Sequence, residues 1–144
     1  EKKYLCITAG VPPKKSDTMT HYLFKDSKTN TVTVSDKKTD RNKTIITKYR
    51  VLKTDGKLSL VEVELLTGRT HQIRAHMAYI GCPLLGDGKY GSNKVNRSYG
   101  IKTQALYSYK LKFTFTTDGG ILEYLNGREF TAPDVWFENM FLDE

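Results

Sequence analysis

The chain has 144 residues, 38% of them apolar, and a formal net charge of +7 from 23 Lys and Arg against 16 Asp and Glu. That is one ordinary domain with enough chain to bury a core. There is no run of about 18 apolar residues of the kind that crosses a bilayer as a helix. Charge of this sign suits an anionic partner, nucleic acid first among them, or simply a basic surface. The two cysteines, Cys6 and Cys82, match no metal-ligand spacing, and no secretory signal is visible. A reduced, cytoplasmic protein without membrane contact is therefore expected.

Lys2-Lys3-Tyr4-Leu5-Cys6-Ile7-Thr8 reads as a strand. It starts with no turn or cap before it, and a neighbour upstream is expected. Residues 11–16 form a turn or loop. Residues 21–25 (HYLFK) and 31–34 (TVTV) read as short strands, joined by polar residues 26–30 into a hairpin. The charged stretch 36–43 (DKKTDRNK) is a solvated connection or a phosphate-binding finger. Residues 44–52 alternate, with Ile45, Thr47, Tyr49 and Val51 on one face. Asp55-Gly56 then supplies a hairpin turn. Residues 57–66 return with Val61, Val63 and Leu65 facing one way and Glu62 and Glu64 the other.

A helix follows. Thr70 is its expected N-cap, and Ile73, Met77 and Ile80 form its apolar stripe. Gly81 at the C′ position and Pro83 beyond it close the helix. A loop rich in Gly, Asn and Ser leads to a strand over 104–116, which Asp118-Gly119-Gly120 turns back toward 121–125. Ala132-Pro133-Asp134 opens a final short helix carrying Val135, Trp136, Phe137 and Met140. Strands outnumber helices, so the fold class is α+β with a mostly antiparallel sheet.

The polar residues at the start of the central helix carry the functional signal. Arg69, His71, Gln72, Arg74 and His76 fall within eight residues. Arg74 lies at the edge of the apolar stripe, where a guanidinium is partly buried and needs a carboxylate. Glu62, Glu64 and Asp87 are candidates for a structural ion pair. Arg69 and His71 stand where backbone N–H groups and the helix dipole favour an anion, such as an RNA phosphate; satisfying nearby loop carbonyls is the other reading. A zinc site is not expected, because His71 and His76 are five apart and fall on different faces of a helix.

The run from Leu66-Thr67-Gly68-Arg69-Thr70-His71-Gln72-Ile73-Arg74 through Ala75-His76-Met77 to Gly81-Cys82-Pro83-Leu84-Leu85-Gly86-Asp87 and Tyr90-Gly91 resembles the signature of the RluA-like pseudouridine synthase family. Lys2-Lys3-Tyr4-Leu5-Cys6-Ile7 resembles that family's Lys-x-Tyr strand, and residues 43–52 resemble the strand preceding the signature. Residues 104–111 resemble its Leu-His-Ala segment, with Tyr107 in place of the usual His and Ser108 in place of Ala. Cys82 stands where His is common, and Phe130-Thr131-Ala132-Pro133 resembles the closing strand.

The resemblance implies an enzyme that isomerises uridine to pseudouridine in ribosomal or transfer RNA, with no metal or organic cofactor. The target base is flipped into a cleft, an Asp starts cleavage of the glycosidic bond, and the uracil turns and reattaches through carbon. Tyr4 matches the residue that stacks on the flipped base and helps remove its proton. Arg74 matches the partner of the catalytic Asp, and Leu106 an apolar wall of the uracil pocket. Tyr4, Arg74 and Leu106 should therefore meet in one cleft.

The family's His-Arg-Leu-Asp motif, which precedes Lys-x-Tyr, does not occur in this sequence. Residues 1–144 are accordingly expected to be the C-terminal portion of one catalytic domain, inactive alone and prone to edge-to-edge self-association. Arg74 is then expected to face open water, and its full burial in a bidentate pair with Glu62, Glu64 or Asp87 would mark it as structural. The reading from another class is an RNA-binding module that keeps the cleft and lacks the nucleophile.

Overall fold

The structure, a computed structural model, describes residues 2–108. Its strands are β1 (Lys2–Ala9), β2 (Ser16–Asp26), β3 (Thr31–Ser35), β4 (Lys43–Thr54), β5 (Leu58–Leu65) and β6 (Leu106–Ser108). They form one sheet in the order β3-β2-β4-β5-β1-β6, and every pairing is antiparallel. The helices are α1 (Gln72–Tyr79) and α2 (Asn93–Tyr99). The α+β class and the antiparallel sheet expected from the sequence are both present.

The long β4–β5 pair forms where the alternation predicts it. Gly56 turns the chain at φ 89°, and Asp55 Oδ1 accepts the N–H groups of Lys57 and Leu58 at 2.8 Å. Ile45, Thr47 and Tyr49 of β4 and Val61 and Val63 of β5 are all buried, as period-two patterning demands for a sheet covered on that face. The first hairpin strand is longer than HYLFK suggests. It starts at Ser16, because β4 offers a ladder from Arg50 down to Lys43 along which β2 pairs, burying Met19 and Leu23. The charged loop before β4 is built around Asn42. Its side chain accepts from the Thr39 N–H and donates to the Lys37 carbonyl, while Lys38 Nζ is tied to the Thr39 and Asn42 carbonyls.

Two apolar layers sandwich the sheet. On one face Cys6, Met19, Tyr49, Val61 and Val63 pack with Ile73 and Met77 of α1 and with Leu84. On the other face Leu5, Ile7, Leu58 and Leu60 pack with Leu85 and Ala105, and Val95 and Ile101 close over them. The helix α2 stands where a loop was expected. Its sequence, NKVNRSY, has no apolar stripe. Ser92 caps the Val95 N–H, Gly100 ends the helix at φ 70°, and buried Asn96 holds the Gly86 N–H and the Asp87 carbonyl. Past Ser108 the remainder of the strand expected over 104–116, the strand at 121–125 and the final helix lie outside the described residues.

Candidate active site

The helix α1 begins one residue later than Thr70 would allow as its cap. His71 is the N-cap, at φ 53° and ψ 25°, and makes no side-chain cap bond. The left-handed region costs a non-glycine residue on the order of 1 kcal/mol, so something must hold it there. One hold is Tyr90, whose hydroxyl lies 2.8 Å from His71 Nδ1. The other is the next residue, Gln72, which ties the turn before the helix to β4. Its Oε1 accepts the Arg69 N–H and the Thr67 hydroxyl, and its Nε2 donates to the Ile46 carbonyl and to Thr47 Oγ1.

One turn on, His76 is fully buried. Its Nδ1 is 2.7 Å from Thr47 Oγ1, and its Nε2 is 2.9 Å from His21 Nδ1. Two imidazole nitrogens at that distance are joined by one hydrogen bond. Burial, and then the charge His21 can carry, push His76 down to about 4. His71 and His76 therefore serve different partners.

Arg74 departs from the expectation of open water. Its Nε donates to Asp87 Oδ2 at 2.8 Å and its Nη2 to Asp87 Oδ1 at 3.0 Å. Asp87 also accepts the N–H groups of Lys89 and Tyr90. Burial acts to raise the Asp87 carboxyl, but the Arg74 hydrogen bond and the two backbone N–H groups outweigh it and hold it below its ordinary range. The Tyr90 ring lies 5.2 Å from the guanidinium carbon, a cation–π distance. The pairing is bidentate, yet the Arg74 side chain keeps 17% of its surface exposed while Asp87 keeps none. Its Nη1 has no hydrogen-bond partner among the described residues. Arg74 is thus anchored to one carboxylate and still open on one side.

That side borders a cleft. Tyr4 of β1, His71 and Arg74 at the start of α1, and Leu106 of β6 line one cavity of about 270 Å³, with Leu65 and Ile73 as further apolar wall. Residues 4, 74 and 106, far apart in sequence, meet here because β6 pairs with β1 beside Tyr4 (Tyr4↔Ser108, Cys6↔Leu106) and α1 lies across the same face. Arg69 is exposed and does not line this cavity; only its backbone is engaged. Burial, then repulsion from Arg74 and Lys89, holds His71 below its ordinary range. Tyr90 was not singled out from sequence as a site residue. The signal available was its place within the signature run, but its role depends on reaching across to β3, where its hydroxyl also accepts the Val32 N–H.

The RNA pseudouridylate synthase family matches residues 1–79. Among curated proteins, the chain is 40% identical over 95 residues to ribosomal large subunit pseudouridine synthase C of Rickettsia conorii, covering 65% of this chain and 31% of that protein. It is 38% identical over 133 residues to the uncharacterized RNA pseudouridine synthase YlyB of Bacillus subtilis, covering 92% of this chain and 40% of that one. The chain thus spans less than half the length of these relatives. Among solved structures it is similar to human RNA pseudouridylate synthase domain containing 1, with a TM-score of 0.64 and 27% identity over 75% of this chain and 47% of that one. By the match over more than half its length, the chain belongs to the RNA pseudouridylate synthase family.

Proposed function

We propose that this chain forms the base-binding side of an RNA pseudouridine synthase that acts on ribosomal RNA, with transfer RNA as the other candidate substrate. The observation that carries the reading is the meeting of Tyr4, Arg74 and Leu106 in one cleft. Each has a task there. An aromatic face receives a base taken out of its stack, Leu106 supplies an apolar wall, and a cation holds an attacking carboxylate ionised and oriented. Tyr4 also helps remove the proton from the turned base. Arg69, exposed beside the cleft residues in sequence, contacts the RNA phosphates. The names of the relatives favour ribosomal RNA.

The attacking carboxylate is not among the described residues that line the cleft, and Asp87 is fully buried with four hydrogen bonds already accepted. In this reading a His-Arg-Leu-Asp segment outside the present sequence supplies it, Arg74 Nη1 receives it, and the chain alone is inactive. The same observation favours the second reading, an RNA-binding module without chemistry.

The test is to measure pseudouridine formed in unmodified ribosomal and transfer RNA transcripts. One sample contains the chain alone and the other the chain joined to a segment carrying His-Arg-Leu-Asp. Conversion only in the joined form is expected. Binding without conversion in both would move the non-enzymatic module ahead.

A further inference from the structure

His71 stands at the start of a helix, where the obvious role for it is a phosphate clamp. The geometry argues for another. The Tyr90 hydroxyl accepts the Val32 N–H at 3.2 Å, which occupies a lone pair, and its own hydrogen has one nitrogen acceptor near it, His71 Nδ1 at 2.8 Å. A hydroxyl carries one hydrogen and two lone pairs. With one lone pair committed, the arrangement that uses every group has Tyr90 donating to Nδ1. The imidazole hydrogen then sits on Nε2, which has no partner among the described residues. Burial and the neighbouring Arg74 and Lys89 disfavour the charged imidazole, which agrees with that arrangement. The left-handed backbone at His71 is tolerated in the same place, on the wall of the cleft that Tyr4 and Leu106 share. Strain of this kind persists where neighbours over-determine it, and here Tyr90 and Gln72 both do.

Resting on the reading of the cleft as a uridine site, we propose that His71 is a base-reading residue that donates its Nε2–H to a carbonyl oxygen of the flipped uracil. Tyr90 is its positioning residue. It fixes the tautomer through the hydroxyl and packs against the Arg74 guanidinium, so the base-reading donor and the carboxylate-holding cation are aligned by one side chain. The donor distinguishes a base with a carbonyl on that edge from an empty position, and it leaves phosphate attraction to exposed cations such as Arg69.

The experiment uses the full chain and two RNA oligomers of equal length, one carrying a single uridine and the other an abasic ribose in its place. Wild type should prefer the uridine oligomer. His71→Ala should lose roughly tenfold in affinity for it, the range of one directed hydrogen bond and its desolvation, and nothing for the abasic oligomer. The slope of affinity against salt should stay unchanged, whereas loss of a phosphate contact would lower it by roughly 0.7 for a single strand. His71→Gln, which keeps an N–H donor, should recover part of the loss. Nitrogen-15 shifts of His71 should give the neutral Nε2–H form in wild type and a mixture of tautomers in Tyr90→Phe. Equal losses on both oligomers, a shallower salt slope, or an Nδ1–H imidazole in wild type would overturn the assignment. If wild type fails to prefer uridine, the uridine cleft itself is wrong, and the assignment falls with it.

Discussion

Two polar networks run beneath and beside α1, and they differ in how they end. The first runs from His21 through His76 and Thr47 to Gln72, and from there to the Arg69 N–H, the Thr67 hydroxyl and the Ile46 carbonyl. Its links from His76 to Gln72 are buried, and each donor there meets an acceptor. The second runs from Asp87 through Arg74 and the Tyr90 ring to His71. It is as firmly anchored, since Asp87 is fully buried. But it finishes in two nitrogens, Arg74 Nη1 and His71 Nε2, that have no partner among the described residues, both on side chains lining the cleft. A closed network specifies where a helix lies. A network left open at one end holds groups ready for something else. The same helix serves both, with Gln72 and His76 in the first and Arg74 and the strained N-cap His71 in the second.

The largest expected effect comes from cutting the second network at its root. Asp87→Asn leaves a mostly buried guanidinium without its counter-charge and weakens the acceptor for the Lys89 and Tyr90 N–H groups. A loss of about 3–5 kcal/mol is expected, read from urea denaturation. A change under about 1 kcal/mol would mean that Arg74 relaxes to water and that the network is not what positions it.

How far the sequence reveals this contrast depends on the kind of information each part needs. The β4–β5 pair is legible because its alternation is local and strict. The end of α1 is legible because Gly81 and Pro83 act on their own backbone. The partner of Arg74 could be narrowed to Glu62, Glu64 and Asp87, and the alternation already held the answer. If Val61 and Val63 face the helix, Glu62 and Glu64 face away from it, and Glu62 indeed pairs with Arg50. The expectation of open water at Arg74 rests on the resemblance to the family's His-Arg-Leu-Asp motif rather than on this alternation. The start of α1 is not legible. Thr70 has the better capping propensity, and the tertiary pull of Tyr90 and the reach of Gln72 to β4 override it. The helix α2 is not legible either, because it is held by Asn96 bonding to the Asp87 loop rather than by an apolar face.

The next effect is one of pH, and it separates the networks. His76 is held at about 4 in the fold against an ordinary 6.5. The unfolded chain therefore takes up a proton that the folded chain refuses. The stabilisation is fully present above pH 6.5 and drains away as pH falls toward 4, by about 3 kcal/mol at the lower end. His71 is lowered as well and acts in the same direction, so the comparison is best made in His71→Gln. Asp87, held below its ordinary 3.8, contributes stability that is lost only at still lower pH. Thermal melts from pH 7 to pH 3 should show the closed network failing first. A flat profile between pH 6.5 and 4 would mean that His76 is not sealed from solvent.

Thr47→Val is a smaller cut in the closed network. It keeps the shape and a good strand residue, but leaves Gln72 Nε2 and His76 Nδ1 each short of a partner. About 1–3 kcal/mol of stability should be lost. Because Thr47 lies away from the cleft, affinity for a uridine oligomer should not change under conditions where the protein is folded. An equal loss of affinity would show that the two networks are coupled through α1 rather than separate.

The smallest expected effect on stability is at Arg69, whose backbone belongs to the closed network and whose side chain belongs to neither. Its backbone N–H is held by Gln72 Oε1 in the closed network, while its side chain is exposed. Replacing the side chain by alanine removes none of the hydrogen bonds on either path, so unfolding should shift by no more than about 0.5 kcal/mol. RNA binding is another matter. If the exposed guanidinium meets a phosphate, Arg69→Ala should weaken binding to uridine and abasic oligomers alike and lower the salt slope by roughly 0.7. That is the pattern opposite to the one expected of His71→Ala, which should discriminate between the oligomers and leave the slope alone. The two variants, two residues apart at the start of one helix, thus place the boundary between phosphate attraction and base reading. If both behave as phosphate contacts, the open end of the second network is an anion site after all.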